Sequence, residues 1–178
     1  MDTQTCILTR RSHRKFTEET VSHEEIEKLV SLAAYAPSWK NTQISRYIAV
    51  EDPRTKEEIC EKFCNDHNAA IIRTCPVLLV QTFMKNRCGY ERDGSFSTDR
   101  ADGWQYYDCG IAAQTFCLAA HDLGLGTLIM GVFDRKGLQE YLSIPEDQEV
   151  MALIALGHPA AEATAPKRKD VGTLLSYR

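Results

Sequence analysis

Residues 107–126 read YDCGIAAQTFCLAAHDLGLG, and the fold turns on this stretch. Ile111, Ala112, Ala113, Phe116, Leu118, Ala119, Ala120 and Leu123 take up nearly the whole circumference of a helix running from Tyr107 to Leu123. A helix that is apolar on all sides has to be enclosed on all sides. A small chain has limited protein with which to enclose it, so the pattern points to a second subunit. Gly124-Leu125-Gly126 ends the helix through the left-handed geometry that glycine tolerates, and Thr127 to Met130 continue as a strand.

Upstream, Ser22-His23-Glu24-Glu25 has the pattern of a capping box, and Ile26, Leu29, Val30 and Ala33 recur at helical spacing until Pro37. This predicts a helix over residues 23–36. Residues 46–50 read as a short strand. Thr55-Lys56-Glu57-Glu58 then forms a second capping-box pattern that opens a helix over residues 56–64. The unbroken apolar run Val77-Leu78-Leu79-Val80 suits a central strand covered on both faces. Residues 85–105, with three glycines and many charges, read as a long excursion of the kind that is often functional. Asp134 caps a short helix reaching Leu142, and residues 150–156 form the last strong strand. Gly157-His158-Pro159 breaks that strand, and a basic, proline-containing tail follows to Arg178. Helix and strand alternate four times, which predicts an α+β or α/β sandwich.

The chain has 178 residues, which suits a single domain over residues 1–178. It is 43% hydrophobic and 26% charged, a composition that excludes a disordered tail, and no apolar run approaches the length of a bilayer span. Lysine and arginine number 21 against 25 aspartates and glutamates, a net charge of -4, which argues against a general nucleic-acid binder. The seven cysteines are odd in number, and residues 1–9 carry no secretory pattern, so reduced thiols and a cytoplasmic location are expected. No C-x-x-C spacing supports a zinc or iron-sulfur site, and no metal is expected.

Three clusters carry chemistry. Arg10-Arg11-Ser12-His13-Arg14-Lys15 concentrates positive charge in a net-acidic chain. In an extended segment Arg10, Ser12 and Arg14 point to one side, a geometry suited to a phosphate, although a solvated basic turn has the same composition. Lys167-Arg168-Lys169 reads either as a solubilising tail or as a second group converging on the same dianion. Ala36-Pro37-Ser38-Trp39-Lys40-Asn41-Thr42-Gln43 is dense in hydrogen-bonding side chains. Its amides suit the carbonyl and imide edge of a flat heterocycle, and its composition also suits an ordinary loop.

Together these residues resemble the FMN-dependent nitroreductase family. The resemblance rests on Arg10-Arg11-Ser12-x-Arg14-x-Phe16, Ala36-Pro37-Ser38-x-x-Asn41-Thr42-Gln43, Asp108-x-Gly110-x-Ala112-x-Gln114, Gly124-Leu125-Gly126, and Gly157-His158-Pro159 ahead of Lys167-Arg168. It runs nearly end to end. It implies an α+β, three-layer α/β/α sandwich with a central, mostly antiparallel sheet, built as an intertwined homodimer with FMN at the subunit interface. It further implies that Arg10, Arg11, Ser12 and Arg14 hold the FMN phosphate and ribityl chain, with Lys167 or Arg168 completing the phosphate site. Pro37, Ser38 and Asn41 would approach the flavin from the other subunit, with Gln43 near them, and Met130-Gly131 would lie near the pyrimidine edge. Two departures stand out: Trp39-Lys40 replaces small residues, and Ile44-Ser45 replaces a frequent Pro-Trp ahead of Arg46. Trp39 either walls the pocket and narrows what fits, or packs at the surface or interface.

The expected activity is oxidoreduction from NADH or NADPH to nitroaromatics, quinones or related small electrophiles by a ping-pong cycle. The other reading is a non-catalytic FMN carrier or a redox-responsive regulator. A serine hydrolase is disfavoured because there is no G-x-S-x-G elbow, and adjacent Ser12 and His13 diverge in a strand. Gly124-x-Gly126 follows a helix and lacks the full G-x-G-x-x-G, which removes a Rossmann reading.

Overall fold

The computed structural model describes residues 1–178. Helices and strands follow in the order α1 (Thr3–Thr9), α2 (His23–Ala33), β1 (Ser45–Val50), α3 (Pro53–Phe63), α4 (Asp66–Ile72), β2 (Val77–Met84), α5 (Gly103–Asp122), β3 (Gly126–Met130), α6 (Arg135–Tyr141), β4 (Gln148–Gly157) and α7 (Val171–Leu174). The strands form one sheet in the order β1-β2-β4-β3, and every pairing is antiparallel.

Alternation along the two inner strands creates the layers. Val77 and Leu79 of β2, with Ile154 and Leu156 of β4, pack against Leu29 and Ala33 of α2 and Phe116 and Ala120 of α5. Leu78, Val80, Leu153 and Ala155 point the opposite way, against Ile59 and Cys60 of α3, Ile72 of α4 and Leu138 of α6. Successive side chains in a strand face opposite sides, so an unbroken apolar run needs cover on both. The expected three-layer sandwich with its central antiparallel sheet is what forms. β2 lies between β1 and β4, the interior place read for residues 77–80. It extends further than read, to Met84, because its polar residues are satisfied internally. Gln81 Nε2 donates to the Cys109 carbonyl at 3.0 Å, and the Thr82 hydroxyl to Gln148 Oε1 at 2.8 Å.

Several boundaries differ from the sequence reading. Ser22 and Glu25 do form the capping box of α2, but the helix ends at Ala33 rather than residue 36. Pro37 disfavours helical geometry in the residue before it, and the chain turns earlier through Tyr35 and Ala36. α3 opens at Pro53, with Asp52 accepting from the Thr55 amide at 2.7 Å, so Asp52 is its cap and Thr55 is not. α5 begins at Gly103, which shortens the excursion to residues 85–102. Three helices of at most seven residues, α1, α4 and α7, escaped the sequence reading.

α5 is only partly enclosed by its own chain. Within one chain it buries a single face, comprising Gln105, Asp108, Cys109, Ala112, Ala113, Phe116, Cys117 and Ala120, while Tyr106 and Tyr107 are exposed. No helix is long and apolar enough to cross a membrane.

Candidate functional site

The two ends of the chain meet through backbone pairing. Ser12 forms a parallel bridge with Thr127 on the open edge of β3, and Phe16 forms an antiparallel bridge with Pro159 just beyond β4. The His13 amide donates to the Thr127 carbonyl at 3.0 Å, Thr17 to His158 at 2.9 Å, and Ala160 to Lys15 at 3.0 Å. This close approach needs glycine at two strand ends. A Cβ at Gly126 would lie 2.9 Å from His13 Cδ2 and from Pro159 Cγ, and one at Gly157 would lie 3.2 Å from Phe16 Cδ1 and 2.5 Å from Pro76 Cδ.

The pairing shapes a cleft of about 620 Å³ between residues 10–15 and residues 161–168. Arg10, Arg11, Arg14, Lys15 and Arg168 line it, and Glu162 is the sole carboxylate on its wall. None of these five cations is paired with a carboxylate anywhere in the chain. Arg11 is partly committed, since it donates to the Leu8 and Arg10 carbonyls at 2.7 and 2.8 Å and so caps the end of α1. Burial pushes the His13 imidazole below its ordinary value, which keeps it neutral at pH 7. Unpaired like charges gathered in one concavity repel each other, and an anion relieves that repulsion.

A second cavity of about 380 Å³ lies between α2, the following loop, β1 and α5. Pro37, Ser38, Gln43, Arg46, Tyr47 and Asp108 are on its wall, and Asn41 lines an adjoining shallow pocket with Pro37 and Gln43. The loop holds three non-glycine residues in left-handed backbone: Lys40, Asn41 and Gln43, with φ of 45°, 56° and 47°. Such geometry costs an L-residue roughly 1–2 kcal/mol, less for asparagine. Local bonds offset it. Asp108 Oδ2 accepts from the Trp39 amide at 2.9 Å, Ser38 Oγ from the Gln43 amide at 3.1 Å, and the Gln43 carbonyl from Arg46 at 2.7 Å. Tyr47 stacks on Phe116 at 5.6 Å with its hydroxyl buried and unpartnered, and burial pushes that phenol well above its ordinary value.

The sequence matches the nitroreductase family over residues 7–67 and 61–158. The chain belongs to the nitroreductase family. It is 33% identical over 165 residues to a Methanothermobacter thermautotrophicus protein named for NADH dehydrogenase and NAD(P)H nitroreductase activities, covering 90% of this chain and 78% of that one. It is 29% identical over 167 residues to an FMN reductase (NAD(P)H) of Bacillus subtilis, covering 89% of this chain and 66% of that one. Among solved structures, a nitroreductase-like protein of Desulfovibrio desulfuricans in complex with FMN superposes with a TM-score of 0.80 at 26% identity, covering 98% and 95% of the two chains.

On this nitroreductase fold the donor set of the basic cleft fits a phosphomonoester: guanidinium groups of Arg10, Arg14 and Arg168 without carboxylate partners, with the Ser12 hydroxyl among them. The structure brings Arg10, Arg11, Ser12, Arg14 and Arg168 together and leaves Lys167 off the cleft wall. It gathers Pro37, Ser38, Asn41 and Gln43 around the second cavity and its neighbour. The two cavities share no lining residue, so one chain holds the two halves of the expected site apart. Met130 ends β3 as a residue 4% exposed in the core, and the exposed backbone beside it is that of Gly131. The sequence reading gave no role to His13, Lys15 or Glu162 in the cleft, or to Tyr47 and Asp108 in the second cavity. For His13 and Lys15 the signal was membership of the basic run, and for Asp108 its place in the helix motif.

Proposed function

We propose that the chain is an FMN-dependent oxidoreductase that takes electrons from NADH or NADPH and gives them to nitroaromatics, quinones or related small electrophiles in a ping-pong cycle. The observation that carries this reading is the meeting of Arg10, Arg14 and Arg168, all without carboxylate partners, in one cleft. Arg10, Arg14 and Arg168 bind the phosphate, Ser12 donates to it or to the ribityl chain, and Arg11 supports the segment by capping α1. Pro37, Ser38, Asn41 and Gln43 lie against the ring system, and the backbone at Met130 and Gly131 faces its pyrimidine edge. Bound FMN supplies hydride acceptance and donation at its N5, and the protein supplies position and electrostatics. The cations of the cleft and the amides of the loop stabilise negative charge near the ring, while Trp39 and Trp104, with ring centroids 4.9 Å apart, exclude water from one side.

The reading includes a homodimer with the site between subunits. Its support is the apolar surface that a single chain leaves open: Ile7 and Leu8 of α1, Tyr107 of α5, and Val171, Leu174 and Leu175 of the tail. A second subunit covering α5 supplies the enclosure that its sequence demands, and brings a loop of residues 37–43 to the partner's basic cleft.

The test is the visible spectrum of the purified protein before and after anaerobic addition of NADH and NADPH. The expected result is a bound flavin that bleaches with a reduced nicotinamide and recovers with a nitro compound or quinone. A yellow protein that neither nucleotide bleaches overturns the enzyme reading in favour of a carrier, and a colourless protein that ignores added FMN overturns the cofactor.

A further inference from the structure

Asp108 is a buried carboxylate with no cation beside it. Its side chain stands in the early turns of α5, the residue is 4% exposed, and no salt bridge includes it. Oδ2 instead accepts two hydrogen bonds, one from the Trp39 amide at 2.9 Å and one from the Cys88 thiol at 3.0 Å. A buried carboxylate is costly unless its oxygens are taken up by donors. Both donors come from far along the chain. Trp39 follows Pro37 and Ser38 in the strained loop, and Cys88 stands at the root of the excursion, residues 85–102. Burial and the neighbouring Asp108 carboxylate hold the Cys88 thiol far above its ordinary range, so it stays protonated and is a donor.

Two further observations bear on the same joint. The Trp39 indole Nε1 is buried without an acceptor, so the ring sits where its surroundings hold it rather than where its own donor is satisfied. The loop and the excursion are also tied at the surface, where Lys40 Nζ meets Glu91 Oε1 at 2.9 Å. That exposed pair contributes little, and Cys88 and Trp39 also share an apolar cluster with Ile44, Phe83 and Cys109, so the Asp108 carboxylate is the buried polar connection between the two segments.

We propose that Asp108 is a positioning residue that clamps the Pro37–Ser38 loop and the root of the excursion to α5 through one oxygen, so that the loop keeps a single geometry toward the cofactor. This assignment rests on the reading of that loop as part of the FMN site. Without the carboxylate the Trp39 amide loses its acceptor, and the left-handed residues after it relax toward ordinary backbone. Asparagine keeps an oxygen for the Trp39 amide. Removing the Cys88 thiol spares the Trp39 amide and loosens the excursion only around Cys88, because the Asn86 amide still donates to Gln105 Oε1 at 2.7 Å and Trp104 Nε1 to Thr98 Oγ1 at 2.8 Å.

The test combines amide hydrogen exchange on the flavin-free protein with the FMN dissociation constant read by flavin fluorescence. In Asp108→Ala, the Trp39 amide and the amides around Cys88 are expected to exchange about tenfold faster or more, the scale of one buried hydrogen bond, and FMN to bind about tenfold more weakly. Asp108→Asn is expected to restore the Trp39 amide and FMN binding to within about threefold of the wild type, and Cys88→Ala to loosen the excursion alone. Equal behaviour of the alanine and asparagine variants, or an unchanged Trp39 amide, overturns the clamp. If Asp108→Ala does not fold, the other two variants decide, and a Cys88→Ala protein that loosens the loop as much as the excursion overturns it. Exchange is read without cofactor, so wild-type protein that binds no flavin sinks the functional reading alone, while tight FMN binding beside a freely exchanging Trp39 amide sinks the clamp alone.

Discussion

Ala160 donates its backbone N–H to the carbonyl of Lys15 at 3.0 Å, joining two residues from opposite ends of the chain. That bond, with the Phe16–Pro159 bridge beside it, sets the segment carrying Arg168 against the one carrying Arg10 and Arg14. Backbone pairing of β-strand type therefore gathers cations that electrostatics alone would drive apart.

Changing Arg10 and Arg14 together to alanine should release FMN while leaving the fold intact, because neither side chain is buried or ion-paired. Each charged hydrogen bond lost costs about 1.5–3 kcal/mol, so the affinity should fall by at least about a hundredfold. Equilibrium dialysis against FMN measures it, and wild-type affinity in the double variant would count against the phosphate assignment.

Gly126→Ala should weaken both the fold and the cleft. The added methyl meets His13 and the rigid Pro159 ring, and it forces apart the pairing that aligns residues 12–13 with β3. Overpacking of this kind costs about 1–3 kcal/mol. A lower melting temperature with reduced FMN affinity is expected, and an unchanged pair of values would show that the segment gives way freely.

The stability should decline on mild acidification. Burial pushes the imidazoles of His13 and His121 below their ordinary value of 6.5. Between that value and their lower folded ones, the unfolded chain binds protons that the folded chain does not. Their contribution is thus present above about pH 6.5 and lost as the pH falls through the folded values. The carboxylates held low by hydrogen bonds, such as Asp52 by Thr55 and Glu57 by Arg73, act only in more acidic solution. Melting temperatures from pH 7 to 5 should slope less in His13→Gln than in the wild type, and identical slopes would remove His13 from the account.

Leu8→Asp and Tyr107→Asp should separate subunits. The two side chains are 71% and 62% exposed in the single chain, so their replacement leaves its core untouched. Burying a carboxylate at a subunit contact is strongly unfavourable. Light scattering should show a dimer for the wild type and a monomer for the double variant, and a dimer in both would place the contact elsewhere.

How much was legible follows from where each signal lies. Ser22 and Glu25 announce α2 because a capping box is a local bond between residues three apart. Val77 to Val80 announce a central strand because the need for two-sided cover is written into every residue of the run. The polar pair Gln81 and Thr82 hid the rest of β2, since their partners, Cys109 and Gln148, are distant in sequence. Asn65 caps an α4 of seven residues, too short for periodicity to register.

By itself the sequence determined the two-sided cover of the central strand, the longer helices and strands, and the identity of the basic and amide-rich clusters, because periodicity, capping and charge are properties of neighbours along the chain. Only the tertiary structure decided that Arg168 rather than Lys167 reaches the cleft, that Met130 turns its side chain into the core, and that Asp108 joins Trp39 to Cys88. Those outcomes depend on which way each side chain points once distant segments meet, and for Met130 a one-residue step along β3 reverses that direction.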